Sequence, residues 1–526
     1  MKKYFSLIVF LIGIVALSCT NQTNKNQSAK SPQGGYYTES YRPQIHFSPE
    51  AHWMNDPNGL VFSNGQYHLF YQYYPDSSVW GPMHWGHAIS KDLIHWKHLP
   101  VALYPDSLGC IFSGSAVNDV NNTSGLGKDG KGSLVAMFTY HDFVGAKAGT
   151  NTFQNEAIAY SNDDGMTWTK YDHNPVVKNP GIRDFRDPKV MWHEASKKWV
   201  LTLATLNTIT FFSSPDLKNW TKESEFGEGV GQHGAAWECP DLFRLKVDGT
   251  DQEKWVLLVS INPGGPNGGS ATQYFVGEFD GKVFHNESPS ASARWMDYGK
   301  DNYAGVTWSG IPQPDGRRLL IGWMSNWQYA KKVPTPVWRG AMTLPRELTL
   351  KKLPSGEIVL NGYPTAEFEN YGSKWQDLQS QTQKFAAGST ASYPLGNADA
   401  FDYFVELDLS AANQATVQLT NSKNEVFDIV LDKARQQVRI NRNQSGETAF
   451  SKEFPVDIVA PANINDKVSL RLVIDQASVE LFMDGGLLEM TNIVYPKEIY
   501  NQVKIKSDQE ITVINSKIRN LTSIWR

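Results

Sequence analysis

The sequence predicts an all-β protein: a five-bladed β-propeller over residues 41–345, a linker at 346–365 and a β-sandwich over 366–526. Three observations carry this expectation. Strand–turn–strand units recur five times in the first 340 residues. A Ser-x-Asp pattern followed by Trp repeats three times among them. Beyond residue 366 the pattern changes to clean alternation of apolar and polar residues, broken by turn residues, which is how a half-buried antiparallel strand reads.

The chain opens as a targeting segment. Lys2 and Lys3 precede an apolar stretch from Phe5 to Leu17, which has the length of a signal-peptide core and is too short to span a bilayer comfortably. Ala16-Leu17-Ser18-Cys19 has the form of a bacterial lipoprotein cleavage site. Residues 1–18 are therefore expected to be removed and Cys19 to carry lipid, with 19–40 as a polar, flexible tether. Thr20, not Asp, follows Cys19, which favours lipid anchoring at the outer membrane after export.

The five hairpin units are "GLVFSNGQYHLFYQ", "FSGSAVND…GSLVAMFTYH", "KVMWHEASKKWVLTLA", "DLFRLKVDGTDQEKWVLLVS" and "GVTWSGIPQPDGRRLLIGWMSNW". Each joins β-rich runs through Asn-Gly, Asp-Gly or a charged turn. None can bury a core alone, and radial packing of five solves that problem. The runner-up is a pair of β-sandwiches. The outer turns "SKDLIHW", "SNDDGMTW" and "SPDLKNW" look structural, with the Asp satisfying backbone N–H groups and the Trp wedged between sheets. The second half supplies "DYFVELDLS", "ATVQLTN", "EVFDIVLDK", "QVRINR", "VSLRLVID" and "SVELFMDGG".

Composition narrows the partners. Of 526 residues, 20% are charged and the net charge is -5 with no basic run, so nucleic acid is not an expected partner. Seventeen Trp residues suit either a packed β core or platforms for sugar rings. Besides Cys19 the only cysteines are Cys110 and Cys239, and no CxxC or HExxH occurs, so neither a disulfide framework nor a zinc site is expected. His84, His87 and His233 are read as packing or hydrogen-bonding residues, not metal ligands. No cofactor is expected, and the oligomeric state is left open.

Three acids stand near the starts of three units: Asp56 in "WMNDPNG", Asp187 in "DFRDPKV" and Glu238 in "WECPDLF". In a propeller the innermost strands line the central axis, so acids at equivalent strand starts would converge at one channel mouth. Glycoside hydrolysis needs two carboxyl groups flanking the bond, one ionised and one protonated. Glu238 lies in an apolar stretch, "AAWEC", expected to raise its pKa by desolvation. Asn55 and Asn58 are expected to donate to Asp56 and favour its charge, and Arg186 to keep Asp187 ionised.

"WMNDPNGL", "FSGSAV", "FRDP" and "WECPDLF", with "DYGKDNYAGVTW" and "IGWMSNWQYAKKVPTPVWRGAMTLPREL", resemble the signature motifs of glycoside hydrolase family 32, the invertase, inulinase and levanase group. The resemblance runs nearly the whole chain and implies a five-bladed propeller with a C-terminal β-sandwich. Residue by residue it implies Asp56 as nucleophile, Glu238 as acid/base and Asp187 as transition-state stabiliser. Trp53, Asn55, Gln72, Trp80, Phe112, Ser113, Arg186 and Trp327 would contact a terminal fructose unit, with Tyr303 and Trp308 near a later motif. It also suggests that Cys239 tunes Glu238. The implied chemistry is retaining, with carboxyl groups roughly 5 Å apart. Fructans such as levan or inulin, fructo-oligosaccharides and sucrose are the implied substrates, attacked from chain ends. Alternatives are an endo-levanase of the same family, an inverting propeller arabinanase or xylosidase, and a non-catalytic fructan-binding lipoprotein. Discrimination among substrates is expected in loops 74–84, 142–154 and 225–236.

Overall fold

A computed structural model describes residues 35–287, 293–313 and 315–525. All five expected hairpins form, and each supplies the two inner strands of an antiparallel blade. The innermost strands are His52–Ser63, Cys110–Asp119, Phe185–His193, Trp237–Lys246 and Tyr303–Thr307. They touch one another in a ring. The outer turns behave as expected. Ser90, Ser161 and Ser214 donate to Asp92, Asp163 and Asp216 at 3.0, 2.7 and 3.1 Å, and each Asp accepts backbone N–H groups in turn. Trp96, Trp168 and Trp220 each donate an indole N–H to a carbonyl of the same turn.

Every innermost strand carries one residue more than its partner at its start. The steps Met54 to Pro57, Ile111 to Gly114, Arg186 to Lys189, Glu238 to Asp241 and Tyr303 to Val306 each span three residues. Each lies opposite a two-residue step, such as Tyr73 to Tyr71 or Ser260 to Leu258. Such a bulge bends a strand and re-aims its side chains. Below the bulges the axis is filled by a buried ion pair, Lys189 with Asp241 at 3.0 Å, whose carboxylate also accepts the Thr307 N–H at 2.6 Å.

Two expected boundaries shift. The segment read as a linker, 346–365, is the outer half of the fifth blade: Arg346–Lys352 pairs with Ile358–Pro364. Its "KKLPSGE" looked like a connector because Lys, Pro and Gly mark a turn; the flanking Leu348, Leu350 and Leu360 are buried as in an ordinary blade. The far end of the segment expected as a tether, 19–40, is packed on the fold, while 19–34 lie outside the described residues. Tyr37 stacks on Trp525 with ring centroids 3.9 Å apart, and its hydroxyl meets His98 at 2.7 Å. Residues 1–18 and Cys19 lie outside the described residues.

The six alternating segments of the second half all form strands, in two sheets of seven and six strands. Their inward positions, among them Val405, Leu407, Val417, Ile429, Ile440 and Leu472, make one buried core. The two halves meet through buried charges. Arg346, in the fifth blade, bonds Asp297 at 2.9 Å and Glu480 at 2.6 Å, and Glu489 as well. His46, from the chain preceding the first blade, lies between Asp475 and Glu480, 2.8 Å from each. Burial alone would lower its pKa, but the two carboxylates outweigh burial and raise it to about 9.

Replacing Arg346 by Met leaves Asp297 and Glu489 buried without their cation and Glu480 with His46 alone as cation, which costs about 3–5 kcal/mol. Urea unfolding of the variant is expected to show that loss as one earlier transition for both halves. His46 titrates with the opposite sign to an acid. Its pKa is raised in the fold, so its contribution is full below the ordinary value of 6.5 and is lost as pH rises through about 9. A melting-temperature series from pH 6 to 10 should fall across that window in the wild type and fall less in His46→Gln.

Candidate active site

The bulges build the site. A cavity of about 360 Å³ opens at the ring mouth, lined by Asn55, Asp56, Phe112, Ser113, Arg186, Asp187, Glu238 and Tyr303 from the five bulges. Gln72, Trp80, Asn262, Trp327 and Lys331 complete it. Neighbours in a regular strand point to opposite faces. Here the adjacent pairs Asn55–Asp56, Phe112–Ser113 and Arg186–Asp187 all reach the same cavity, which only the extra residue permits. The register also corrects the expectation that the acids occupy equivalent positions. Glu238 is first in its bulge, Asp187 second and Asp56 third. Asp187 and Cys239 adopt positive φ, 65° and 44°, a strained conformation for residues with a side chain.

Asp56 accepts the Asn55 amide at 3.0 Å and the Ser113 hydroxyl at 2.7 Å. Asn58 instead donates to the Asp56 backbone carbonyl at 3.1 Å. Burial, and then the nearby Glu238 charge, raise the Asp56 pKa against these two donors, so the expected preference for charge is not what burial leaves. Asp187 accepts the Cys239 N–H at 3.0 Å. Its pKa rises to about 7 because burial outweighs Arg186, helped by the charges of Glu238 and Asp56.

Arg186 does not serve Asp187 first. Its guanidinium bonds Glu238 at 2.9 Å and Asp184 at 2.5 Å, while Asp187 lies 4.0 Å away. Glu238 therefore meets a cation on one oxygen and the Tyr303 hydroxyl on the other, instead of the apolar surround expected from its sequence neighbours. The Cys239 thiol sits 3.7 Å from Asp56 and 3.6 Å from Asp187. Its hydrogen bonds thus run to those two acids.

Seven of the eight residues expected to contact substrate line the cavity: Asn55, Gln72, Trp80, Phe112, Ser113, Arg186 and Trp327. Trp53 does not. It is fully buried and donates its indole N–H to Asn55 at 2.7 Å, with its ring 5.7 Å from that of Trp327. Trp308 is likewise core, bonded to the His68 carbonyl. His87 stacks on Phe70, His233 on Trp237, and His84 bonds the Pro82 carbonyl. Among the described residues no cluster with the makings of a metal site is found.

Sequence reading missed Asp184, Asn262 and Lys331. The Lys331 ammonium lies 5.5 Å from the Trp80 ring and 5.8 Å from Trp327, across the cavity mouth. Asp184 sits two residues before Arg186, a spacing that could have flagged it. A second cavity of about 380 Å³ adjoins the first and shares Trp80, Phe112, Arg186 and Glu238 with it. Asp56 lines the first alone, so Glu238 stands at the junction.

The profile of glycosyl hydrolases family 32, N-terminal domain, matches residues 46–361, and that of glycosyl hydrolases family 32, C terminal, matches 368–523. A levanase of Bacillus subtilis is 46% identical over 509 residues, 95% of this chain and 73% of that protein. An extracellular exo-inulinase of Aspergillus niger is 41% identical over 524 residues, covering 93% of this chain and 96% of its own. The crystal structure of an exo-inulinase from Aspergillus awamori superposes with a TM-score of 0.86 at 38% identity, over 93% of this chain and 100% of that one. A β-fructofuranosidase from Schwanniomyces occidentalis complexed with fructosyl-erythritol gives 0.81 at 31% identity, over 93% and 99%.

The upward shift of Asp187 has a stability consequence with a fixed sign. Its favourable contribution is full below 3.8 and is lost as pH rises through about 7. Asp187→Asn should therefore melt higher than the wild type at pH 8, with the gap closing towards pH 4. Calorimetry at the two pH values checks this; a gap that widens in acid would overturn it.

Proposed function

Because the chain belongs to glycosyl hydrolase family 32, and so is a glycosidase of O-glycosyl bonds, we propose that it releases fructose from the ends of β-D-fructofuranosides by a retaining double displacement. The observation that carries this reading is the meeting of Asp56, Asp187 and Glu238 in one cavity. Asp56 attacks the anomeric carbon of the terminal fructosyl unit while Glu238 gives a proton to the departing oxygen. Water, deprotonated by Glu238, then opens the fructosyl–Asp56 ester. Asp187 steadies the positive charge that develops on the sugar ring between these steps. Tyr303 and Arg186, on the two oxygens of Glu238, aim its carboxyl at the junction of the cavities.

Fructans and fructo-oligosaccharides are the substrates this reading favours, supported by the levanase and exo-inulinase relatives. Action from chain ends is supported by the exo-inulinase relative, and Glu238, shared by the two adjoining cavities, stands where the scissile bond would lie if the terminal unit occupied the inner one. The hydrolase is read as exported, in keeping with its extracellular relative, and tethered to the outer membrane by lipid on Cys19.

Fructose release from levan and from inulin, compared among wild type, Asp56→Ala and Glu238→Ala, tests the reading. Glu238→Ala should lose about 10²- to 10⁴-fold in kcat, and Asp56→Ala should fall to background. Equal signals from all three proteins would leave only a binding protein. The first-formed anomer, followed by NMR, should keep the β configuration; inversion would end the double-displacement assignment. Oligosaccharides as first products, in place of fructose, would show endo action.

A further inference from the structure

Glu156 is a buried acid that the reaction as described does not use. It is fully enclosed on the third strand of the second blade, Gln154–Ser161. One carboxyl oxygen accepts the Thr139 hydroxyl at 2.8 Å; the other has no hydrogen-bond partner. Burial raises its pKa well above the ordinary carboxylate range, with the Asp187 charge adding to the rise. Burial thus favours the protonated form of this acid.

Such a residue is a poor choice for packing. Leaving a buried polar atom unpaired is destabilising, and an apolar side chain of similar size would avoid that loss. What the carboxyl does accomplish is local and directional. Thr139 is paired with Glu156 across the second blade. Its hydroxyl spends its proton on Glu156, so its lone pairs face the neighbouring blade, where the oxygen accepts the Asp187 N–H at 3.0 Å. Asp187 is the bulged residue of its strand, has no ladder partner in its own blade, and holds φ at +65°. Two residues earlier, Phe185 donates its N–H to Gln154 at 2.9 Å. The second blade thereby grips the third at alternate residues around the strained position.

We propose that Glu156 is a positioning residue for hydrolysis: acting through the Thr139 hydroxyl, it holds the main chain of Asp187 in the conformation that presents the Asp187 carboxylate to the substrate. The proposal rests on the reading of Asp187 as transition-state stabiliser. A small displacement of such a group lowers turnover more than substrate affinity, since it acts on charge that develops only in the transition state.

The test is steady-state kinetics on inulin for Thr139→Val, Thr139→Ser, Glu156→Gln, Glu156→Leu, the Val/Leu double variant and Asp187→Asn, with melting temperatures measured alongside. Glu156→Gln keeps a neutral acceptor and Thr139→Ser keeps the hydroxyl, so both should retain kcat within about threefold. Thr139→Val and Glu156→Leu should each lose about 10- to 100-fold in kcat with KM nearly unchanged. The double variant should lose no more than the worse single one, because the two side chains act in series. Wild-type kcat in Thr139→Val, with Asp187→Asn inactive, would overturn the proposal while leaving the mechanism intact. Additive losses in the double variant would overturn it equally. Full activity in Asp187→Asn would instead defeat the reading on which it stands. Should Glu156→Leu not fold, the Thr139→Val and Glu156→Gln results decide alone.

Discussion

One extra residue at the start of each innermost strand is the constraint on which the molecule depends. A regular strand sends alternate side chains to opposite faces, so a ring of five could offer the axis only every second residue. Five bulges at matching heights remove that limit. They let eight side chains from five strands converge on a cavity of about 360 Å³. They also leave backbone amides without ladder partners, and the site is made partly from those freed groups. The Cys239 N–H serves the Asp187 carboxylate, and the Asp187 N–H is taken by Thr139 of the preceding blade. Geometry and chemistry share one origin.

The electrostatics follow from crowding acids into that space. Asp187, Glu238 and Asp184 face a single guanidinium, Arg186, which bonds two of them directly, and Asp56 lines the same cavity. Burial then raises the pKa of Asp56 and Asp187, a perturbation typical of working sites. Three different dressings keep the acids distinct: amide and hydroxyl for Asp56, backbone N–H for Asp187, cation and phenol for Glu238. Apart from the Asn55 amide, which is next to Asp56 on its own strand, every one of these partners comes from another strand, so the roles are set mainly by tertiary structure.

How much could be read in the sequence divides along that line. Hairpins, outer turns and sandwich strands depend on neighbours within about twenty residues, and their patterns were plain. The acids were found because three of them shared a local setting, yet their supposed equivalence was wrong: a bulge is not visible without its partner strand. Trp53 and Trp308 illustrate the same limit, since an indole in a motif reads alike whether it meets sugar or core. The segment 346–365 reads as a linker because a tight turn between the two outer strands of a blade has the composition of a connector. The Arg186–Glu238 pair, the position of Cys239 and the Thr139–Asp187 bond depend on contacts between blades, which no single stretch of sequence displays.

The buried cluster around Arg346 bears on how such proteins can be recombined. Its cation belongs to the fifth blade, its acids to the segment after the fourth blade and to the sandwich. The ring is closed by its own last blade and by a short parallel pairing of Trp338–Arg339 with His52–Trp53. Glu480 of the sandwich bonds both Arg346 of the fifth blade and His46 before the first, so the sandwich acts as a clasp between the two ends of the ring. A chimera that exchanges sandwiches between two such chains inherits an unbalanced charge at that clasp unless the partners of Arg346 travel with it. The boundary that suits a splice in sequence is thus not the boundary at which the protein comes apart.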